Sequence, residues 1–215
     1  LKNRYESDFS GLKQSLGIDS FAFEFKNVKI NPTLNKLVSH WDFEDNFQDV
    51  VRGNDGSGVG DPSFTSGIIN QAVSLDGDDN IVIPDSPLWD LDGPSNNSDF
   101  SLSLWFNANE NSFSGDWWEG AFISQDKGPG SKNKWIFTYD NGREEFLFHT
   151  NNLSAESGRE YRSNTFNVNN NEWYHLTFVK SGGNYQFYIN GDSIGGGGGI
   201  SNIPNVNAEL SIGHG

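Results

Sequence analysis

The sequence predicts an all-β protein, a two-sheet antiparallel sandwich of the jelly-roll kind. From Leu37 onwards, short aromatic and β-branched runs alternate with turn-forming clusters about every eight to twelve residues, the pattern of a sandwich. The 215 residues include 25 Gly, 17 Phe, 7 Trp and 6 Tyr, so bulky core formers and turn formers are plentiful and helix formers scarce. The stretch from Glu172 to Asp192 then reads as a β-hairpin, with Trp173 to Val179 and Tyr185 to Ile189 as strands. Ser181, Gly182, Gly183 and Asn184 supply its tight turn, and Asn190-Gly191-Asp192 sends the chain back.

The opening segment differs from the rest. Leu1, Tyr5, Phe9, Leu12 and Leu16 fall on one narrow seam of a short helix that Gly17 ends. Phe21, Phe23 and Phe25 alternate with Ala22, Glu24 and Lys26, and Val28 and Ile30 extend this strand past a bulge at Asn27. Asn31-Pro32-Thr33 stops it. Residues 1–36 therefore read as a stalk or linker segment of helix plus strand, and 37–215 as the sandwich.

Within the sandwich, Leu37 to Phe43 is the first expected strand and Gly53 to Gly56 a turn. Further strands are expected at 72–75, 81–83, 100–106, 121–124, 134–139 and 145–149, then the hairpin, with 207–212 last. In the first hairpin strand Tyr174, Leu176 and Phe178 share one face, and Trp173, His175, Thr177 and Val179 the other. Both faces are largely apolar, which predicts a strand held between two layers. Gly195 to Gly199 reads as a flexible loop; without the GK[ST] of a phosphate loop it makes no nucleotide site.

Twenty-nine acidic against 14 basic residues leave a formal net charge of −15, which repels phosphate backbones and anionic lipid and argues against nucleic acid as partner. With no Cys and no Met, disulfides, thiol chemistry and thiolate metal sites are excluded. The sequence has no membrane-spanning run. A chain that opens on Leu1 in place of Met is expected to begin inside a longer precursor, which leaves open whether a signal or membrane segment preceded it.

Four landmarks carry a resemblance: SHWDFEDN at 39–46, AVSLDGDDNIVIPDSP at 72–87, FSLSLWFNAN at 100–109 and the hairpin EWYHLTFVKSGGNYQFYINGD. In order and spacing they resemble the laminin-G-like family of the concanavalin A-like lectin/glucanase superfamily. The resemblance implies a two-sheet antiparallel jelly roll, extracellular or displayed on a cell surface, serving as a binding or adhesion module. Family members usually close with a further strand beside the first, and this chain reaches only Ser211-Ile212-Gly213-His214-Gly215. The sandwich is thus expected to be one strand short: either the ordered region ends early or another strand fills the gap, for which the strand at 21–30 is a candidate in cis or in trans. The layout of residues 1–30 also resembles the stalk of a type IV pilin-like subunit, which implies a rival reading: a cell-surface filament assembled through residues 1–30, with the sandwich as its outer decoration.

Asp76, Asp78, Asp79 and Asn80 place three carboxylates and an amide within five residues, hard oxygen donors that suit Ca²⁺. The resemblance supports a structural Ca²⁺ here; a solvated acidic turn is the competing reading, and Asp85 is either a further ligand or a turn residue. Trp117 and Trp118 sit in the polar stretch NSFSGDWWEG, where at least one is expected to be exposed for stacking on a sugar. Trp89 is a further ligand-binding candidate that also fits an apolar loop anchor. Trp41, Trp105, Trp135 and Trp173 lie in strands and are expected in the core. No ExDxxE strand, nucleophile elbow or HExxH occurs, and Glu144 and Glu145, being adjacent, point to opposite faces, so no enzyme activity is expected. His175 is expected to be structural, and Asn96 and Asn152 lie in N-x-S sequons. The reading is a non-catalytic surface module for a glycan or a protein partner.

Overall fold

A computed structural model of the chain describes residues 37–91, 98–127, 133–151 and 158–214. The chain divides into two compact units, Leu1–Leu37 and Val38–Gly215. The helix and strand expected at 1–30 lie outside the described residues, as do Asn96 and Asn152 of the two sequons.

The second unit is all β. Its strands are β1 (Ser57–Val59), β2 (Ser63–Ser66), β3 (Gln71–Ser74), β4 (Asn80–Ile83), β5 (Phe100–Asn107), β6 (Ala121–Asp126), β7 (Lys134–Asp140), β8 (Glu145–Asn151), β9 (Arg159–Arg162), β10 (Trp173–Ser181), β11 (Asn184–Ile189), β12 (Asp192–Gly198) and β13 (Leu210–Ile212). A seven-stranded sheet runs β1-β4-β13-β6-β7-β8-β9 and a four-stranded sheet β12-β11-β10-β5, all antiparallel; β2 and β3 form a separate hairpin. Together they make the jelly-roll sandwich that the strand spacing predicts. No helix among the described residues is long and apolar enough to cross a membrane.

Aromatic rings fill the space between the sheets. Phe137, Phe146 and Phe148 of the large sheet and Phe178 and Phe187 of the small one are fully buried, and Phe148 stacks on Phe178 with ring centroids 4.6 Å apart. Each such ring removed from water contributes about 2–3 kcal/mol. The hairpin of β10 and β11 forms as expected: Leu176 pairs with Ile189, Phe178 with Phe187, and Gly182 (φ 56°), Asn190 (φ 52°) and Gly191 (φ 89°) supply the left-handed turn positions. Its setting departs from expectation, because only the Leu176 face of β10 is buried. The His175 face is half-exposed, as on an antiparallel sheet with one wet side.

Three further expectations are corrected. Leu37 to Phe43 is not a strand; it makes a single bridge, Trp41 to Asp49. The Asp49 carboxylate takes the His40 N–H that a neighbouring strand would have received, and Phe43 and Asp45 adopt positive φ, which ends extension. Gly195 to Gly198 is no loop but the second half of β12, paired residue for residue along β11. Bare glycine is required there because a side chain at Gly196 would run into the Tyr185 carbonyl and at Gly195 into Asn164. The last strand shrinks to Leu210–Ile212, and it lies inside the large sheet between β4 and β6. Among the described residues β5 pairs with β10 alone, so one of its edges is unpaired.

The tryptophans also divide. Trp135 is buried and donates to Gln125 Oε1 at 3.0 Å. Trp41 and Trp173 are half-buried, and Trp105, expected in the core, is 44% exposed. Its strand explains this: Phe100, Leu102, Leu104 and Phe106 point inward, which puts Ser101, Ser103, Trp105 and Asn107 outside.

Candidate functional site

The loop from Asn109 to Gly120, between β5 and β6, presents Trp117 and Trp118. Asx and serine turns at its start fold it on itself: Asn109 Oδ1 accepts from Asn111 N at 2.8 Å and Ser112 Oγ from Asn109 N at 2.8 Å. Phe113 pins it from below, with ring centroids 5.1 Å from Tyr139 and 5.6 Å from Phe122. At its far end Glu119 Oε2 accepts from Asp116 N at 3.1 Å, and Thr138 Oγ1 on β7 donates to the Trp117 carbonyl at 2.6 Å. The loop that carries both tryptophans is therefore braced by its own turns, by Phe113 and by Thr138 of β7.

Trp118 is 42% exposed and stands edge-on to Trp117, their centroids 5.3 Å apart. Trp117 is half-buried and lies against His149 of β8 at 4.9 Å. The arrangement offers one open indole face beside a second, braced one. Trp89 offers none. It is 5% exposed in the 3-10 turn Pro87–Trp89, tilts against Trp41 at 5.8 Å and donates to the Pro84 carbonyl at 3.3 Å. Of its two sequence readings the structure gives the apolar anchor, because a ring packed on both faces cannot stack on a ligand.

Beneath the loop, the outer face of the large sheet is polar and crowded. The register aligns Ser124, Ile136, His149 and Glu160 in one row and Asp126, Lys134 and Asn151 in the next, with Lys134 paired to Asp126. Burial holds the His149 imidazole below its usual pKa, so it is neutral near pH 7. His149 Nδ1 and both amide atoms of Asn151 are buried and make no hydrogen bond among the described residues. The His149 atom leaves unused bonding capacity next to Trp117, and those of Asn151 extend it along β8.

A second cluster forms where β1 meets β4. Carboxylate oxygens of Asp61, Asp78 and Asp79 lie within 4.8 Å of one another. Asp79 is nearly buried and accepts the backbone N–H of Asp61 at 2.7 Å and of Asp76 at 3.3 Å, which folds both segments around it. Asp76 is exposed; its hydrogen bond to Asp78 and the negative charges of Asp79 and Asp78 raise its pKa. Asn80 instead donates to Ser211 Oγ at 3.0 Å. Asp85 accepts from Gln125 Nε2 at 3.2 Å. Sequence reasoning passed over Asp61, which lies far along the chain and reaches the cluster only through the pairing of β1 with β4.

A laminin G-type family model described as "Concanavalin A-like lectin/glucanases superfamily" matches residues 75–215. Among solved structures, domain 4 of AbnA, a GH43 extracellular arabinanase from Geobacillus stearothermophilus in complex with arabinotriose, is similar at a TM-score of 0.65. It is 20% identical over 83% of this chain and 84% of that one. The structure HCR/D-Sa-GBL1/C is similar at a TM-score of 0.53 and 14% identity; the match covers 82% of this chain but only 42% of that one. At these identities the shared property is the fold. No curated protein sequence matches the chain.

Proposed function

The chain belongs to the concanavalin A-like lectin/glucanases superfamily, and on that footing we propose that it is a non-catalytic carbohydrate-binding module acting outside the cell or at its surface. The observation that carries this reading is Trp118, an exposed indole on a loop whose turns, Phe113 anchor and Thr138 bond fix it before any ligand arrives. A sugar ring lays its C–H face on such an indole, while hydroxyls reach the amides and carboxylates around it. Fixing the ring in advance lowers the ordering cost of binding. Glu119, the carboxylate beside the pair, is engaged by the Asp116 N–H and holds the loop rather than facing a ligand.

A glycan array followed by calorimetric titration of its strongest hit tests the reading, with arabinotriose as the first soluble probe. Trp118→Ala is expected to weaken binding by about 1 kcal/mol, roughly fivefold. Absence of signal from the unaltered chain across the array, or equal affinity for the Trp118→Ala variant, sinks the idea.

The reading includes a structural Ca²⁺ held by Asp61, Asp78 and Asp79. Ca²⁺ sits about 2.3–2.6 Å from its oxygen ligands, so ligands of one ion lie within about 5 Å of each other, and the 4.8 Å spread of these carboxylates fits. A cation there offsets the mutual repulsion of three carboxylates held this close together. At about 100 times the dissociation constant it adds roughly 2.7 kcal/mol, which raises the unfolding midpoint by about 5–10 °C. Thermal unfolding in millimolar Ca²⁺ against excess chelator measures this; equal midpoints would leave the cluster a solvated acidic turn.

A further inference from the structure

We propose that the outer face of the four-stranded sheet is a second saccharide-binding surface, with Trp105 as its stacking platform and an uncharged glycan chain as its ligand. The proposal extends the glycan reading to the sheet opposite Trp118 and rests on that reading only for the class of ligand.

The outward rows read Ser103, Thr177, Tyr188 and Ser193, with Trp105 and His175 beside them. No outward position of β5, β10 or β11 carries Asp, Glu, Lys or Arg, in a chain whose net charge is −15. Charge is confined to the margins, at Asp99, whose carboxylate accepts from Ser181 Oγ at 3.2 Å, and at exposed Asp192 where β12 begins; a polar face with no cation is poorly matched to an acidic polysaccharide or a phosphate and well matched to neutral hydroxyls.

Trp105 is the most exposed large aromatic residue among those described, at 44%. Its ring is nevertheless fixed: it lies 5.0 Å from the His175 ring, centroid to centroid. His175 is itself held by Ser103 Oγ at 2.8 Å from Nε2 and by its own N–H to Asn190 Oδ1 at 2.9 Å. Ser103 Oγ lies 3.2 Å from Thr177 Oγ1, so a chain of hydroxyl and imidazole groups runs alongside the indole. Each hydroxyl can donate and accept, which suits a ligand that does both. On the far side β12 contributes Gly196 and Gly198, whose lack of side chains keeps that border low, so that an extended chain can cross the strands.

Affinity electrophoresis of the full chain in native gels containing xylan, glucomannan or dextran tests this, with alginate as the acidic control. Trp105→Ala, Trp105→Tyr, Trp118→Ala and the double alanine variant are compared after circular dichroism confirms that each is folded. The expected result is retardation by at least one neutral polysaccharide, an apparent Kd raised at least fivefold by Trp105→Ala, partial retention in Trp105→Tyr, and a further loss in the double variant. If Trp118→Ala weakens retardation and Trp105→Ala does not, the second surface is overturned and the first stands. If only Trp105→Ala weakens it, the second surface holds and the Trp118 site falls. Retardation by alginate alone overturns the ligand class. A dimer in sedimentation that Trp105→Ala abolishes makes this face a protein interface and also overturns the proposal, as does absence of retardation in every gel.

Discussion

Asp49 is almost inaccessible to solvent, yet five N–H groups converge on its carboxylate: the backbone of His40, Val51, Arg52 and Asn54 and the side-chain amide of Asn54, at 2.8–3.3 Å. Burial works against its charge, but these bonds outweigh it and bring the pKa down to about 2. A folded pKa below the unfolded value makes a contribution that is complete above about pH 4 and is lost as pH falls through about 2. Asp49→Ala should cost about 2–4 kcal/mol at neutral pH in a denaturant titration and should flatten the acid limb of the stability curve. His149 adds a window at higher pH. Its folded pKa lies below the usual 6.5, so its contribution is complete above that value and declines as pH falls further; His149→Phe should remove that slope. None of this was legible in the sequence, because Asp49 looks like any loop aspartate and its donors are spread from residue 40 to 54. Of the Asp76 to Asn80 run, the closeness of Asp78 and Asp79 was legible because they are neighbours in the chain, and Asp61 was not, for the opposite reason.

At the scale of elements, strands that carry their own alternation were readable and those defined by what they pack against were not. The β10–β11 hairpin follows from its aromatic runs and glycine turn. In β5, the pattern FSLSLWFN places Trp105 with the serines, a signal that its aromatic character masked. The glycines of β12 carry no strand signal, since what they supply is room beside Tyr185 and Asn164. Gly196→Val should therefore break β12 pairing and cost about 2–3 kcal/mol despite the high β propensity of valine. Hydrogen exchange offers a second check. Amides of β10, flanked by β5 and β11, should exchange slowest, while alternate amides of β5, unpaired on one edge among the described residues, should exchange markedly faster.

At the scale of the molecule, two sheets enclose one aromatic core and turn outward two unlike faces. The large sheet is polar and crowded beneath the Trp117–Trp118 loop; the small one is uncharged around Trp105. Core and faces make separable demands. Phe178→Ala, which removes a fully buried ring stacked at 4.6 Å on Phe148, should cost about 3–5 kcal/mol in stability, whereas truncating Trp118 should cost binding and little stability. The seven indole N–H groups of the chain report on this division directly. In an ¹⁵N-labelled sample titrated with the strongest glycan from the array, the account predicts that the indole resonances of Trp117 and Trp118 shift and saturate together while those of Trp89 and Trp135 stay fixed. If no exposed indole responds to any glycan on that array, the binding account is contradicted.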